Sequence, residues 1–477
     1  MAKIPIRLTT IVATIGPASE AALPALLDAG VDVIRLNLAH GSHEVYSDII
    51  ARARKAVKER GRFVAVLTDL AGPKIRLAKV RQEPLTIDPG QELVFHRSPG
   101  KGESVFDLAT NYPAIVDDCR PGDPILLGDG MVRLEVKEKR SDCLIVSAVT
   151  PGVLTSRMGI NLPKTVLTAP TITEKDWHDL DWALEQDVDY VGISFVRSAD
   201  DVRVVKQRIE ERKSQAQVVA KIEKPEAVED IDAIISAADA IMVARGDLGV
   251  ELDVAEVPII QKDLIRRAGR AGLPVIIATQ MLQSMIANPQ PTRAEVSDIA
   301  GAILDGADAV MLSGETAIGK YPLAAVKMMD HIIDLTEDYA ESLPESAAPA
   351  ERFGATEAAI ARGARRIAAD LDAKLIVALT HSGATALALS KQRLRTPILA
   401  VSDREDTCRR MMLYRGVRPV YHPRLIGEAE LLAAVEEIAS REKLVAAGDT
   451  VVIISGQFPG KPGGTDMLRV HRISDRP

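Results

Sequence analysis

The chain has 477 residues, 47% of them apolar and 26% charged, and its 59 Lys plus Arg against 67 Asp plus Glu leave a net charge of −8. That length is too great for one ordinary domain, and the apolar content is enough for large cores. The acidic balance argues against a general nucleic-acid binder, though not against a local basic pocket for phosphates, and no apolar run is long enough to cross a bilayer.

The three cysteines, Cys119, Cys143 and Cys408, are far apart and show no paired spacing, which fits a reducing, cytoplasmic setting. The first residues, MAKIPIRLTTIVATIGPAS, lack a continuous apolar core of the signal-peptide kind. From Thr9 onward strand and helix alternate. Eight strands are predicted, at Thr10–Ile15, Val31–Leu38, Phe63–Leu67, Tyr190–Phe195, Val218–Ile222, Ala240–Ala244, Pro274–Ala278 and Ala309–Leu312. Each is short and apolar, as buried parallel strands are. Several are entered the same way, through a small or apolar helix end and then an aspartate: Asp32, Asp189, Asp239 and Asp308. The recurrence marks one repeated αβ unit, and eight such units are what a closed (β/α)8 barrel needs. The rival is a doubly wound open sheet, but no GxGxxG turn follows any strand.

After the third strand, residues 71–169 change texture. Turns at Asp88-Pro89-Gly90, Pro121-Gly122-Asp123-Pro124 and Asp129-Gly130 separate short alternating runs, among them Ile125–Leu127, Val132–Val136 and Cys143–Val149. These read as antiparallel strands of a β domain inserted at the barrel's functional end. Thr173 with Asp176 resembles a capping box where helices resume. Past Pro344, SAAPAERFGAT reads as a small-residue linker. A helix at about Ala355–Ala369 and strands at Leu375–Leu379, Pro397–Val401, Arg418–Tyr421 and Thr450–Ile454 then form a further α/β domain. The expected division is 1–70 and 170–343 for the barrel, 71–169 for the insertion and 344–477 for the C-terminal domain.

Nearly every barrel strand brings polar residues to one rim: Thr14 and Pro17; Arg35, Asn37 and His40; Asp69, followed by Lys74 and Arg76; Ser194 and Arg197; Lys221 and Glu223; Arg245, Gly246 and Asp247; Thr279; and Ser313. Taken singly, each is more often a capping or surface residue than a ligand. Taken together they mark the carboxyl rim as a site. Lys221 lies inside an apolar strand and must be paired or functional, since an isolated buried charge is costly. Either it forms a structural ion pair with Glu223 or Asp247, or it serves an anionic substrate. Glu223 and Asp247 either cap the following helices or hold a divalent metal, which suits paired carboxylates beside a lysine. His40 and His43 suggest a metal pair only weakly; a loop-end contact to ligand or backbone is the stronger reading.

The segments ATIGPAS at 13–19, RLNLAHG at 35–41, GPKIR at 72–76, MVARGDLGVE at 242–251, ATQMLQSM at 278–285, NPQPTRAEVSD at 288–298 and DAVMLSGETA at 308–317 resemble pyruvate kinase, in order and over the whole chain. The resemblance implies a (β/α)8 TIM barrel with an inserted β-barrel lid domain and a C-terminal α/β domain. It implies transfer of a phosphoryl group from phosphoenolpyruvate to ADP, giving pyruvate and ATP, with Mg2+ or Mn2+ as cofactor. Lys221 would then stabilise the phosphoryl group in flight, Arg35 hold the substrate phosphate, and Glu223 with Asp247 hold the metal. The amides of Gly246 and Asp247, with Thr279, would take the substrate carboxylate. Arg76, His40, Thr14 and Pro17 would line the nucleotide pocket, and Thr279 and Ser313 would serve enolate protonation. Phosphoryl transfer asks mainly for positioning, metal and cationic clamps, which such a rim offers. The lid would exclude water. A homotetramer is the family expectation.

Several positions depart from the family pattern. At the monovalent-cation region, Asn37 and Asp69 keep their oxygens, but Ala39 and Leu70 replace hydroxyl residues, and Lys74 stands for the usual acid. The expectation is an enzyme that does not require potassium, with the Lys74 ammonium pairing with Asp69. Met158 stands where a lid lysine is usual, and Arg157 is its nearest substitute. The loop Thr380–Thr385 resembles an effector-phosphate loop, with Ser382, Gly383, Thr385 and, across from it, Lys461 as candidate contacts, but Ala384 replaces a usual arginine. A sugar monophosphate or AMP is therefore as plausible an effector as fructose 1,6-bisphosphate, and an ordinary strand-to-helix turn remains the alternative. Two rival functions are a metal-dependent aldolase or lyase on the same barrel, which would not need Lys221 or Arg76, and a non-catalytic metabolite sensor, which would be expected to lose Lys221 or a metal carboxylate.

Overall fold

The computed structural model describes residues 7–163, 165–343, 352–423, 428–456 and 464–474. Residues 344–351 of the expected linker, and Lys461 with its glycine-rich neighbours, lie outside the described residues. In chain order the strands are β1 (Thr10–Thr14), β2 (Val33–Asn37), β3 (Ala65–Asp69), β4 (Leu85–Ile87), β5 (Glu92–His96), β6 (Asp107–Ala109), β7 (Pro124–Leu127), β8 (Val132–Lys139), β9 (Cys143–Ala148), β10 (Gly152–Leu154) and β11 (Ile160–Asn161). There follow β12 (Tyr190–Ile193), β13 (Gln217–Ile222), β14 (Ala240–Ala244), β15 (Val275–Ala278), β16 (Ala309–Leu312), β17 (Leu375–Leu379), β18 (Ile398–Ser402), β19 (Val417–Tyr421), β20 (Thr450–Gly456) and β21 (Thr465–Arg472).

Strands β1, β2, β3 and β12 to β16 close into a parallel barrel in the order β1-β16-β15-β14-β13-β12-β3-β2. These are the eight expected strands, with ends that differ by at most two residues. Alternation along each strand divides the apolar residues between two cores. Ile11, Ile34, Val66, Val191 and Ile241 face outward under the helices. Val12, Val33, Leu67, Tyr190, Met242 and Met311 fill the interior, and that core continues into Ala361, Ala364, Met411 and Tyr414 of the C-terminal domain. The barrel floor is thus packed against the C-terminal domain, leaving the opposite, carboxyl rim for a site.

The recurring aspartates explain how the floor is made. Asp32, Asp189, Asp239 and Asp308 each accept a backbone N–H from the start of the preceding barrel strand: Ile11 at 2.9 Å, Val66 at 2.8 Å, Val218 at 2.9 Å and Val275 at 2.8 Å. Near the start of these strands one N–H lacks a backbone acceptor, and the carboxylate supplies one. Each carboxylate also meets a cation: Asp32 meets Arg7, Asp189 meets Arg409, Asp239 meets Lys206 and Arg352, and Asp308 meets Lys391. Arg352, Lys391 and Arg409 come from beyond the barrel, so three of the four, Asp189, Asp239 and Asp308, both order the strands and dock the C-terminal domain.

Lys391 Nζ lies 2.7 Å from Asp308 Oδ2, with both side chains 1% exposed. Removing one partner of such a pair leaves the other charge uncompensated, at a cost of about 3–5 kcal/mol. Lys391→Met should therefore lower the thermal unfolding midpoint by about 5 °C or more. Adding Asp308→Asn should return part of the loss. A single variant that melts with the parent would show that the pair contributes nothing.

Between β3 and β12 the chain leaves the barrel to form a six-stranded sheet, β11-β7-β8-β9-β5-β6, and a two-stranded ribbon of β4 and β10. Leu93, Phe95, Leu134, Leu144 and Val146 belong to a separate core of this insertion. Both crossings are tied to the barrel rim. Outward, Gly72 donates its N–H to Asp176 Oδ1 at 3.1 Å, and Asp176 also closes the expected capping box with Thr173. On the return, Arg197 donates to the carbonyls of Leu167 at 2.7 Å and Ala169 at 2.9 Å.

The helix expected between β13 and β14 is two pieces, Pro225–Glu229 and Ile231–Ala237. They part at Asp230, whose carboxylate turns to accept the N–H of Ala199 at 3.0 Å. In the C-terminal domain the four expected strands pair in parallel, and β21 adds an antiparallel edge on β20 that the sequence pattern did not show. Its residues are mostly exposed or half-exposed, so the buried face that reveals a strand in sequence is missing.

Candidate active site

Arg35, at the third position of β2, is buried and donates from Nε to Asp69 Oδ2 at 2.6 Å. Its Nη1 donates to Thr14 Oγ1 at 3.0 Å, and Thr14 in turn donates to the carbonyl of Leu312 at 2.9 Å. Thr14 therefore props Arg35 from beneath. Its hydroxyl, at the carboxyl end of β1, is committed to Arg35 and Leu312 in this arrangement.

Asp69 ends β3 and is 1% exposed. Room for it comes from the facing strand, where a Cβ at Gly192 would collide with Asp69 Oδ1. Burial alone would raise the Asp69 carboxyl, but Arg35 and Lys221 outweigh it and hold it below the usual carboxylate range. Lys221 Nζ lies 3.4 Å from Asp69 Oδ2 and 2.8 Å from Glu223 Oε1, and it donates to Ser194 Oγ at 2.7 Å. Burial would lower the lysine, but Asp69 and Glu223 together raise it, so it stays charged in a nearly closed environment. The sequence reading placed Ser194 on the rim without a role; here it holds the ammonium from the side while donating to the carbonyl of Leu70 at 2.8 Å.

Glu223 does not cap the helix that follows it. That helix has Lys224 at its N-cap and no side-chain cap bond, and Glu223 Oε2 instead accepts the N–H of Phe195 at 2.8 Å. Burial pushes the Glu223 carboxyl up, Lys221 opposes the rise, and the nearby Asp247 adds to it. A buried carboxylate with a second one close by, beside a single lysine, is the donor set a divalent cation relieves. Glu223 and Asp247 therefore fit such an ion.

Thr279 and Gln280 follow β15 with φ of 66° and 56°, and Phe195 after β12 has φ of 56°. Backbone in this left-handed region is costly for side-chain-bearing residues and clusters at functional rims. Thr279 Oγ1 donates to the carbonyl of Ala278 at 2.6 Å and accepts the N–H of Gly246 at 2.7 Å. The Gly246 amide, expected to meet a substrate carboxylate, is thus engaged by Thr279 in this arrangement. Arg245 holds the turn, donating to the Thr279 carbonyl at 2.9 Å and pairing with Asp298. Ser313 is fixed through its backbone, which donates to Glu315 Oε2 at 2.8 Å, while its hydroxyl is buried without a hydrogen-bond partner.

The remaining rim residues are more scattered. Pro17, His40 and Lys74 are exposed. Burial, then Arg76, Lys74 and Arg35, lower the His40 pKa, which marks a concentration of positive charge on this side of the mouth. Arg76 faces Gly159 of the insertion in an isolated bridge and donates to the Arg157 carbonyl at 3.3 Å. Asn37 turns its Oδ1 to the N–H of Ala39 at 3.2 Å. Contrary to expectation, Lys74 does not pair with Asp69 among the described residues; Arg35 and Lys221 both meet Asp69 Oδ2, and Oδ1 is buried without a hydrogen-bond partner. His43 binds Asp179 at 2.9 Å and stacks on Trp182 at 4.4 Å, so it is no metal partner of His40. Met158 packs against the insertion's core while Arg157 is exposed. In the C-terminal loop, Ser382 is exposed and Gly383 has φ of 90°, but Thr385 is buried with its hydroxyl 2.7 Å from Thr465 Oγ1.

A buried lysine and arginine held by carboxylates at the mouth of a (β/α)8 barrel, under an inserted sheet, define a barrel enzyme of the phosphotransferase class. The family models described as "Pyruvate kinase, barrel domain" and "Pyruvate kinase, alpha/beta domain" match residues 6–326 and 358–471. The chain is 42% identical to a pyruvate kinase of Geobacillus stearothermophilus, over 98% of this chain and 81% of that one. It is 40% identical to a pyruvate kinase of Mycobacterium tuberculosis, over 98% of each. A solved pyruvate kinase from Cryptosporidium parvum superposes with a TM-score of 0.89 at 32% identity, covering 98% of this chain and 96% of that one. The chain belongs to the pyruvate kinase family, the phosphotransferases of glycolysis, a family that uses a divalent metal.

Proposed function

We propose that this chain moves the phosphoryl group of phosphoenolpyruvate to ADP at the rim just described, through the following residues. Arg35 and Lys221 face the transferring group with fixed positive charge; both are already desolvated and braced, so little reorganisation accompanies the transfer. Thr14 and Asp69 orient Arg35, and Ser194 orients Lys221. Glu223 and Asp247 hold Mg2+ or Mn2+, which when bound supplies positive charge to the substrate oxygens. Thr279 and the amides of Gly246 and Asp247 receive the carboxylate, Gly246 exchanging its bond to Thr279 for one to substrate. The unpartnered Ser313 hydroxyl, with Thr279, belongs to the path that delivers a proton to the enolate. Arg76 and His40, with Pro17 beside them, face the nucleotide, and the insertion acts as the lid. The observation that carries this reading is the charged Lys221, buried among Asp69, Glu223 and Ser194 at the barrel mouth.

Potassium is not part of the proposal. Ala39 and Leu70 carry no side-chain oxygen to ligate it, and Arg35, Lys74 and Arg76 already crowd positive charge into this side of the mouth, which adds to burial in lowering the pKa of His40. The test of both statements is one assay of pyruvate formation with Mg2+, in a buffer whose only monovalent cation is tetramethylammonium. Pyruvate should form only when phosphoenolpyruvate and ADP are both present, and added potassium should change the rate by less than about twofold. A tenfold rise, ~1.4 kcal/mol of barrier, would sink the potassium statement.

A phosphorylated effector at Ser382 and Gly383 is the corresponding reading of the C-terminal loop; Thr385 supports it only through its backbone, its hydroxyl being committed to Thr465. Sugar phosphates and AMP, added to the same assay at sub-saturating phosphoenolpyruvate, would reveal it or leave an ordinary turn. Exposed Val254, Ile259, Ile318, Leu335 and Tyr339 favour assembly, in this family a homotetramer, which sedimentation would test. Among the described residues no helix is long and apolar enough to cross a membrane; a cytoplasmic site of action follows from glycolytic chemistry and would be tested by fractionation.

A further inference from the structure

We infer that Asn161, Glu251 and Lys224 form a latch that holds the inserted domain against the segments bearing Glu223 and Asp247. Asn161 ends β11, and its Nδ2 donates to Glu251 Oε1 at 2.8 Å. The same oxygen accepts Lys224 Nζ at 2.7 Å. Lys224 and Glu251 are 7% and 6% exposed, and the second oxygen of Glu251 is buried without a partner. Three polar groups from three separate segments therefore meet, two of them, Lys224 and Glu251, largely shielded from water.

Neither helix explains them. Lys224 is the N-cap of the helix Pro225–Glu229, the end where a cation is unfavourable. Glu251 is the last residue of the helix Arg245–Glu251, the end where an anion is unfavourable. Each stands at the wrong pole of its own helix, so their placement answers to each other. The pair links the residue after Glu223 to the far end of the helix that begins with Arg245, Gly246 and Asp247. Asn161 brings the insertion onto that link.

Asn161 has no contact with Arg35, Lys221, Glu223 or Asp247 among the hydrogen bonds of the described residues, so it is a positioning residue. What it positions is β11 and the adjoining Gly159, which bridges to Arg76. Loss of the latch should therefore weaken the nucleotide side of the site and spare the phosphoenolpyruvate side. This last step rests on the assignment of the nucleotide to Arg76; the latch itself does not.

The experiment has two arms, both on the full chain. Hydrogen exchange without substrates, followed in peptides spanning 154–162 and 245–252, reads the seam directly. Asn161→Ala should speed exchange there about tenfold, and Asn161→Asp, which sets a carboxylate against Glu251, should speed it more. Adding Asn161→Ala to Glu251→Gln should add little to the effect of Glu251→Gln alone, since the contact is already broken. Steady-state kinetics form the second arm: in Asn161→Ala the KM for ADP should rise fivefold or more while the KM for phosphoenolpyruvate stays within twofold. Unchanged exchange in both Asn161 variants overturns the latch. Faster exchange with an unmoved KM for ADP keeps the latch and overturns the assignment of the nucleotide to the insertion's side. Should Glu251→Gln fail to fold, the two Asn161 variants still decide, since that side chain is only half-buried.

Discussion

Lys221→Met should lower kcat at least about a hundredfold and leave the KM for phosphoenolpyruvate within a few-fold of the parent. The asymmetry follows from when the charge matters. In the resting site the ammonium is already neutralised by Asp69 at 3.4 Å and Glu223 at 2.8 Å, so it offers a bound substrate little that Arg35 does not. As the phosphoryl group departs, charge spreads over its oxygens, and a fixed, desolvated cation then gains most. Losing one such preorganised contact costs on the order of 3 kcal/mol, a hundredfold in rate. Lys221→Arg should restore little. The guanidinium is planar and broader, and the pocket formed by Asp69, Glu223 and Ser194 surrounds a point charge. Because removal leaves Asp69 and Glu223 short of a counter-charge, the variant's melting curve must be recorded beside its kinetics. A folded Lys221→Met enzyme with near-normal kcat would contradict the assignment.

Asp247→Asn and Glu223→Gln should each raise the Mg2+ or Mn2+ concentration needed for half-maximal activity tenfold or more, about 1.4 kcal/mol for each factor of ten. Both exchanges keep size and an oxygen while removing charge, and an oxygen-seeking divalent ion loses most from the missing charge. They should differ in a second respect. Glu223 is bonded to Lys221 and to the Phe195 amide, so its substitution disturbs the lysine too and should lower kcat even at saturating metal. Among the described residues Asp247 has no such bond to Lys221, and its loss should be largely rescued by excess metal. Titration of metal against activity in both variants measures this. If both keep the parent's requirement, the two carboxylates do not hold the ion.

The reasons for these outcomes were only partly legible in the chain. Eight short apolar runs were enough to predict the barrel, because a parallel strand buried on both faces must be apolar throughout. The aspartates before β2, β12, β14 and β16 were visible as a repeat, but their purpose was not. An N–H left over at one strand start and a cation from another domain meet only when the barrel is closed. The capping box at Thr173 was legible for the opposite reason: donor and acceptor lie three residues apart. The break at Asp230 was missed because its cause, the Ala199 amide, lies on a neighbouring unit.

The site divides in the same way. The residue types at each strand end, and the order of motifs that ties the chain to its family, are local properties, and the sequence by itself determined them: a lysine inside an apolar strand, two carboxylates after neighbouring strands, an arginine on β2. What those groups do to each other depends on distances of about 3 Å between segments tens of residues apart, and only the tertiary structure decided it. It bonded Thr14 to Arg35, gave Asp69 to Arg35 and Lys221 and not to Lys74, chose for Glu223 the pairing with Lys221 over a helix cap, and joined Asn161 to Glu251 and Lys224. Coulomb energy and hydrogen bonding act through space and fall off with separation and solvent, so no reading along the chain can rank such partners until the fold has brought them together and removed the water between them.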